Sequence, residues 1–266
     1  PMIARLPVSF ACGETQLAGS LDAAPGRCGL LIVSGGNEIR SGAFSGQARL
    51  AAEVSEAGFP VFRFDRRGIG DSDGENAGFR SSSEDISAAL LAFREHAPQL
   101  DRIIGFGNCD AASALMLAQG SGLDGLVLSN PWTIEPALSE AQAADPVPPP
   151  SAIRARYLAK LTNPSEVARL LGGGVDLGKL MRGLIKSVEA EPAASKLAEQ
   201  MRAGLAQFTG PVLIVLGTSD RTAQLFLSRW DKGDPRIAKC EGAGHAYVEP
   251  EHQIWLKDQI LSILRT

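Results

Sequence analysis

The chain has few residues of the kinds that mark specialised proteins. Of 266 residues only four are cysteine and three are histidine. The cysteines Cys12, Cys28, Cys109 and Cys240 form no C-x-x-C pair, so zinc-type spacing is absent and no metal is expected. Pro1 to Phe10 lack a basic region followed by an apolar stretch and a small-residue cleavage site. No signal peptide is therefore expected, and the cysteines read as reduced thiols of a cytoplasmic protein. Charge of one sign is also lacking, with 26 Lys and Arg against 30 Asp and Glu. That balance gives no footprint for nucleic acid. Gly, Pro and charged residues interrupt every apolar run, which excludes a membrane-spanning helix and stable insertion. The hydrophobic share, 44%, is enough for a sizeable core.

Short apolar runs alternate with helical patterns, which argues for α/β with a mainly parallel sheet. Strands are predicted at Leu6–Phe10 and Gln16–Leu21, as a hairpin through Ala11–Thr15. Six more follow at Gly29–Val33, Val61–Phe64, Ile103–Phe106, Leu126–Leu128, Val212–Leu216 and Ile237–Cys240. Helices are predicted at Ala43–Ala57, Ser83–Ala97, Asp110–Gln119, Thr222–Trp230 and Pro250–Leu264. Between Thr133 and Thr209 no core strand is evident. This stretch holds the turn-rich Asp145–Pro150, the flexible Gly172–Gly174, and helical pieces at Ala152–Leu161 and Ser195–Leu205. Structureless loops beyond ~15 residues are uncommon in compact domains, so it reads as a mostly helical cap. The expected organisation is a core of 1–132 and 210–266 with a cap insertion at 133–209.

Five stretches carry chemistry. In Arg102-Ile-Ile-Gly-Phe-Gly-Asn-Cys-Asp-Ala-Ala-Ser113 an apolar strand runs into a tight turn and an Ala-rich helix. That is the context of a nucleophile elbow with Cys109 as nucleophile. The sharp turn needs small residues two before and two after it, and Gly107 and Ala111 meet that need. The N–H of Asp110 would face a developing oxyanion, and the helix N-terminus favours negative charge on the sulfur. The Asp110 carboxylate beside it opposes that charge. Ser113, one turn on, is a weaker rival for the nucleophile. A buried structural cysteine is the bland reading of Cys109.

Glu241-Gly-Ala-Gly-His245 delivers one histidine from a Gly-rich loop after the last strand, which suits a general base. His96 and His252 suit solvated or capping roles. Leu216-Gly-Thr-Ser-Asp220 ends a strand with an acid that can orient the imidazole. Asp220 also suits a helix N-cap, and one carboxylate can serve both ends. The chain order Cys109, Asp220, His245 is nucleophile, acid, base. Val33-Ser-Gly-Gly-Asn37 offers a backbone N–H, of Gly36 or Asn37, as the second oxyanion donor. The loop Arg63-Phe-Asp-Arg-Arg-Gly-Ile-Gly-Asp-Ser-Asp-Gly74 reads as structural, with Asp65 and Arg67 as candidate bracing partners.

Together these stretches resemble the α/β-hydrolase superfamily over almost the whole chain, and Phe64-Asp-Arg-Arg-Gly-Ile-Gly-Asp-Ser72 is especially characteristic. More narrowly, Gly107-Asn-Cys-Asp-Ala-Ala-Ser113, Ser129-Asn-Pro-Trp132 and Asp220-Arg-Thr-Ala223 resemble the type-1 exosortase-A-system-associated hydrolases. The resemblance implies an α/β-hydrolase fold, a mainly parallel eight-stranded sheet flanked by helices, with an inserted cap. It also implies Cys109 as nucleophile and hydrolase activity, with no cofactor. The expected function is cleavage of a carboxylic ester or thioester of a small-molecule acyl substrate. An acyltransferase using the same triad, and a non-catalytic component of an exopolysaccharide or protein-sorting system, are the alternatives.

Overall fold

The structure is a computed structural model that describes residues 5–120, 122–134 and 195–266. Eight strands form one sheet: β1 (Arg5–Cys12), β2 (Thr15–Asp22), β3 (Cys28–Val33), β4 (Val61–Phe64), β5 (Arg102–Asn108), β6 (Gly125–Ser129), β7 (Val212–Gly217) and β8 (Ile237–Cys240). Their order across the sheet is β1-β2-β4-β3-β5-β6-β7-β8. β1 and β2 form the expected antiparallel hairpin, and β2 runs antiparallel to β4. From β4 to β8 every pairing is parallel. The predicted strands all form, most of them a residue or two longer at the ends.

The parallel strands are short because they are buried on both faces and need helices to cover them. Alternate residues serve the two faces. Leu30, Ile32, Ile104, Phe106, Val127 and Val215 pack towards α1 (Gly46–Glu56) and the C-terminal helix Pro250–Leu264. Leu31, Val33, Phe62, Phe64 and Ile103 face the other way, into the cluster that includes α2 (Ser83–His96) and α3 (Asp110–Leu117). The predicted helix Ser195–Leu205 is found as α4 (Lys196–Gln207). It buries Leu197, Met201 and Leu205 in the same cluster as Leu115 and Met116 of α3. α5 (Arg221–Arg229) and α6 (Pro250–Leu264) complete the described α-helices. The predicted helical piece Ala152–Leu161, like the rest of 135–194, lies outside the described residues.

The described chain stops at Ile134, just past Thr133, and resumes at Ser195. The Ser195 hydroxyl donates to the Thr133 carbonyl at 3.0 Å and also caps α4 by accepting from Ala198 N. The two ends of the intervening segment are thus tied together. Just before this neck, Trp132 N–H donates to the Cys109 carbonyl.

Asp65 and Arg67 do brace the β4–α2 loop, but not against each other. Asp65 is fully buried and pairs with Arg40, while Arg67 pairs with Asp85 and Glu84. The reason is burial: Asp65, in the first turn past β4, needs charged and backbone donors on all sides, and Arg40 and the Asp71 N–H supply them.

The elbow depends on Gly107. A Cβ there would lie 2.7 Å from the Ala111 carbonyl carbon and 2.8 Å from Ala112 N. Helix α3 therefore approaches β5 too closely for any side chain. Gly107→Val is expected to lower unfolding free energy by about 1–3 kcal/mol, the usual range for overpacking. Denaturant titration of the two proteins checks this, and an unchanged midpoint would contradict the close approach.

Candidate active site

The parallel strands end at one edge of the sheet, where ligands bind in open α/β folds. Register brings those ends level: Val33 pairs with Gly107, Asn108 with Ser129, and Gly217 with Cys240. The loops that follow carry Gly36, Cys109, Asn130, Asp220 and His245.

Cys109 has φ 61° and ψ −126°, a conformation that L residues rarely adopt. Such strain persists where neighbours over-determine the backbone. Here Cys109 N–H donates to the Ser129 carbonyl, and the Cys109 carbonyl accepts from Trp132 N–H and from the Ser113 hydroxyl. Ser113 is fully buried and also donates to the Trp132 carbonyl, so it tethers the elbow. The helix begins at Asp110, directly after the sulfur-bearing residue.

His245 bridges the acid and the thiol. Its Nδ1 lies 3.1 Å from Asp220 Oδ2, and the Cys109 side chain is near enough to favour the charged imidazole. Asp220 accepts from Thr222 and Ala223 N–H as the N-cap of α5 as well, so one carboxylate serves both ends. Asp231 instead accepts from Gly233 N–H in its own turn. Burial disfavours the charged imidazole, but the hydrogen bond to Asp220 and the nearby Cys109 outweigh it and push the His245 pKa up to about 10. His252 pairs with Glu249 at the start of α6, and His96 Nδ1 meets the Ala92 carbonyl within α2.

The sign of that shift gives a test. A pKa raised from 6.5 to about 10 means the His245 contribution to stability is complete below pH 6.5. It is lost as pH rises through about 10. Melting temperature should therefore fall between those pH values by more in the wild type than in Asp220→Asn. Parallel pH dependence of the two proteins would contradict the pairing.

Asparagines that the motif reading passed over hold the histidine loop. Asn130 is fully buried with φ 42°. Its Nδ2 donates to Asn108 Oδ1 at 3.1 Å and to the His245 carbonyl at 3.3 Å, while its Oδ1 accepts from Gly217 N–H at 2.9 Å. Asn108 Nδ2 donates to the same His245 carbonyl at 3.2 Å. The signal was an asparagine ahead of proline at a strand end, in Ser129-Asn-Pro-Trp132.

The Gly36 loop lies against the elbow: a Cβ on Gly35 would sit 3.5 Å from Cys109 Cβ. Gly36 N–H donates to Asp110 Oδ1 at 2.6 Å. Asn37 is exposed, and its Oδ1 accepts from Asn76. The buried Arg66 donates to the Gly36 carbonyl and to Ser82 Oγ. Glu38 is a further neighbour missed from sequence. Burial raises its pKa, His245 opposes the rise, and Asp110 adds to it. A cavity between α1 and α6 is lined by His245 with Glu38, Leu50, Phe106 and Tyr247 among others. Among the described residues no cluster of His, Cys, Asp and Glu could hold a metal ion, and no helix is long and apolar enough to cross a membrane.

Solved structures share this architecture. The esterase Pf2001 of Pyrococcus furiosus superposes with TM-score 0.64 at 15% identity, covering 99% of this chain and 91% of its own. The α/β hydrolase GrgF from Penicillium sp. sh18 gives TM-score 0.64 at 19% identity, covering 99% and 98%. Est1E from Butyrivibrio proteoclasticus, solved with ferulic acid bound, gives 0.62 at 15%, covering 97% and 100%. At these identities the likeness establishes the fold. No curated protein matches the chain. A family model described as the alpha/beta hydrolase family matches residues 30–254, which is most of the length, and the chain belongs to that family.

Proposed function

We propose that the protein hydrolyses a carboxylic ester or thioester through a Cys109-His245-Asp220 triad. The observation that carries this reading is His245 set between Asp220, 3.1 Å from its Nδ1, and a nearby cysteine held at φ 61°. In the free enzyme the imidazole holds a proton beside the sulfur. Sγ attacks the carbonyl carbon, and the carbonyl π pair moves onto oxygen. The N–H of Asp110 faces that oxygen, and the Gly36 or Asn37 loop is the source of a second donor. His245 gives its proton to the departing alkoxide or thiolate, which leaves an S-acyl enzyme. His245 then removes a proton from water, the hydroxide attacks the acyl carbon, and Cys109 departs. Asp220 fixes Nδ1, so the other ring nitrogen faces the thiol.

The reading takes the segment between Thr133 and Ser195 as a cap over the pocket; the rest of the expected 133–209 insertion holds α4, which packs on α3 in the core. Support comes from the segment's described ends, Thr133 and Ser195, which emerge beside the Trp132–Cys109 hydrogen bond. It also takes the protein as cytoplasmic, consistent with four free cysteines. The narrower resemblance to exosortase-associated hydrolases rests on the three motifs and names no acyl group. Pf2001 is described as an esterase, which agrees in reaction class.

The test is a quench of the enzyme with p-nitrophenyl esters and acyl-CoAs of varied chain length, followed by peptide mass analysis. An acyl group on the Cys109 peptide, released on standing in water, is the expected result. Turnover without acyl mass at Cys109 would refute the mechanism.

A further inference from the structure

The donor that should meet an oxyanion is already engaged. Gly36 N–H points at Asp110 Oδ1 across 2.6 Å, and Asp110 is the residue that follows the nucleophile. The carboxylate thus sits where a negatively charged substrate oxygen would receive that hydrogen bond. Its surroundings show a second place for it. Arg66 Nη2 lies 3.7 Å from the same Oδ1, beyond hydrogen-bond range, on a side chain only 5% exposed. Arg66 is itself fixed by the Gly36 carbonyl and Ser82 Oγ. Glu38 also lies within electrostatic reach of both the Asp110 carboxylate and His245.

We infer that Asp110 is a specificity-determining gate, which occupies the Gly36 N–H at rest and must swing towards Arg66 before a substrate carbonyl can use both oxyanion donors. This rests on the Cys109 triad proposed above. A hydrogen bond to a carboxylate is stronger than one to a neutral carbonyl, so an ordinary ester competes poorly for the occupied donor. Only a developing full negative charge, or a substrate whose binding drives the carboxylate away, displaces it. The gate thereby favours carbonyls that readily become oxyanions, thioesters and activated esters, over plain alkyl esters.

The experiment uses trifluoroacetone, which forms a hemithioketal oxyanion with a cysteine, followed by fluorine NMR. Asp110→Ala keeps the backbone N–H but frees Gly36. It should bind the ketone about tenfold more tightly, on the scale of one charge-assisted hydrogen bond. Asp110→Asn, with a weaker acceptor of the same size, should fall between it and the wild type. It decides the matter alone if the alanine variant fails to fold. Iodoacetamide alkylation, which forms no oxyanion, should change by less than the ketone affinity. Unchanged or weaker ketone binding in the variants overturns the gate, as does an equal rise in alkylation, which would mean a purely electrostatic effect on sulfur. A hemithioketal absent from Cys109 in every protein would instead remove the triad reading itself.

Discussion

Cys109→Ala should abolish turnover, by about 10⁵-fold or more, while the protein melts within a few degrees of the wild type. Two structural facts set the size and the selectivity of this effect. The atoms lost are those of the side chain that interacts with His245. The backbone of the elbow is held by the Ser129 carbonyl and by Trp132 and Ser113, through main-chain atoms of Cys109. Alanine keeps the same Cβ at φ 61°, so strain is unaltered. Steady-state hydrolysis of an activated ester, with thermal melts of both proteins, checks the point. Equal activity in the two proteins would end the cysteine mechanism. Cys109→Ser is expected to retain a small fraction of activity, because a hydroxyl needs more help from the base than a thiol does.

The second large effect separates two acids. Asp220→Asn should lower turnover by on the order of 10³-fold, because an amide can present its N–H to His245 and trap the wrong tautomer. Asp110→Asn should change turnover by only a few-fold. Its carboxylate faces Gly36 and Arg66, not the imidazole. The same contrast should appear in the pH profile: loss of the Asp220 hydrogen bond shifts the His245 titration down from about 10, whereas loss of the Asp110 charge leaves that hydrogen bond in place. If Asp110→Asn proved the more damaging change, the acid of the triad would be misassigned. Part of the loss in Asp220→Asn would be structural, since the same carboxylate caps α5. A melting-temperature comparison separates that part from the catalytic one.

The sheet was legible from sequence because its strands announce themselves. Val61–Phe64 and Ile237–Cys240 are short apolar or alternating runs between helical patterns, and they form with those bounds. The proposed site could be read where one residue type stands at a strand end, as at Cys109, Asp220 and His245, and the structure brings these three together. It was not legible where the role depends on a side chain's direction across the loop cluster. Asp110 follows Cys109, and its position suggested a backbone N–H and a charge beside the sulfur but no distant partner. Its carboxylate reaches a residue far away in sequence, Gly36, and periodicity contains no information about that contact. Asn130 was hidden for a similar reason. Its hydrogen bonds join three different loops, to Asn108, Gly217 and His245, and exist only once β5, β6 and β7 are side by side. The Asp65 and Arg67 pairing failed because nearness in sequence was a poor guide to which cation a buried carboxylate would find.

The tie between Ser195 and Thr133 has a consequence for how such a protein can diversify. With Thr133 and Ser195 hydrogen-bonded, the points where the described chain stops and resumes lie side by side, so the chain between them has no span to keep. Closing a longer chain between fixed ends adds only about 0.6 kcal/mol for each doubling of its length. Whole insertions can therefore be exchanged at that point by recombination, one substrate range for another, while the sheet and the elbow beneath it stay as they are.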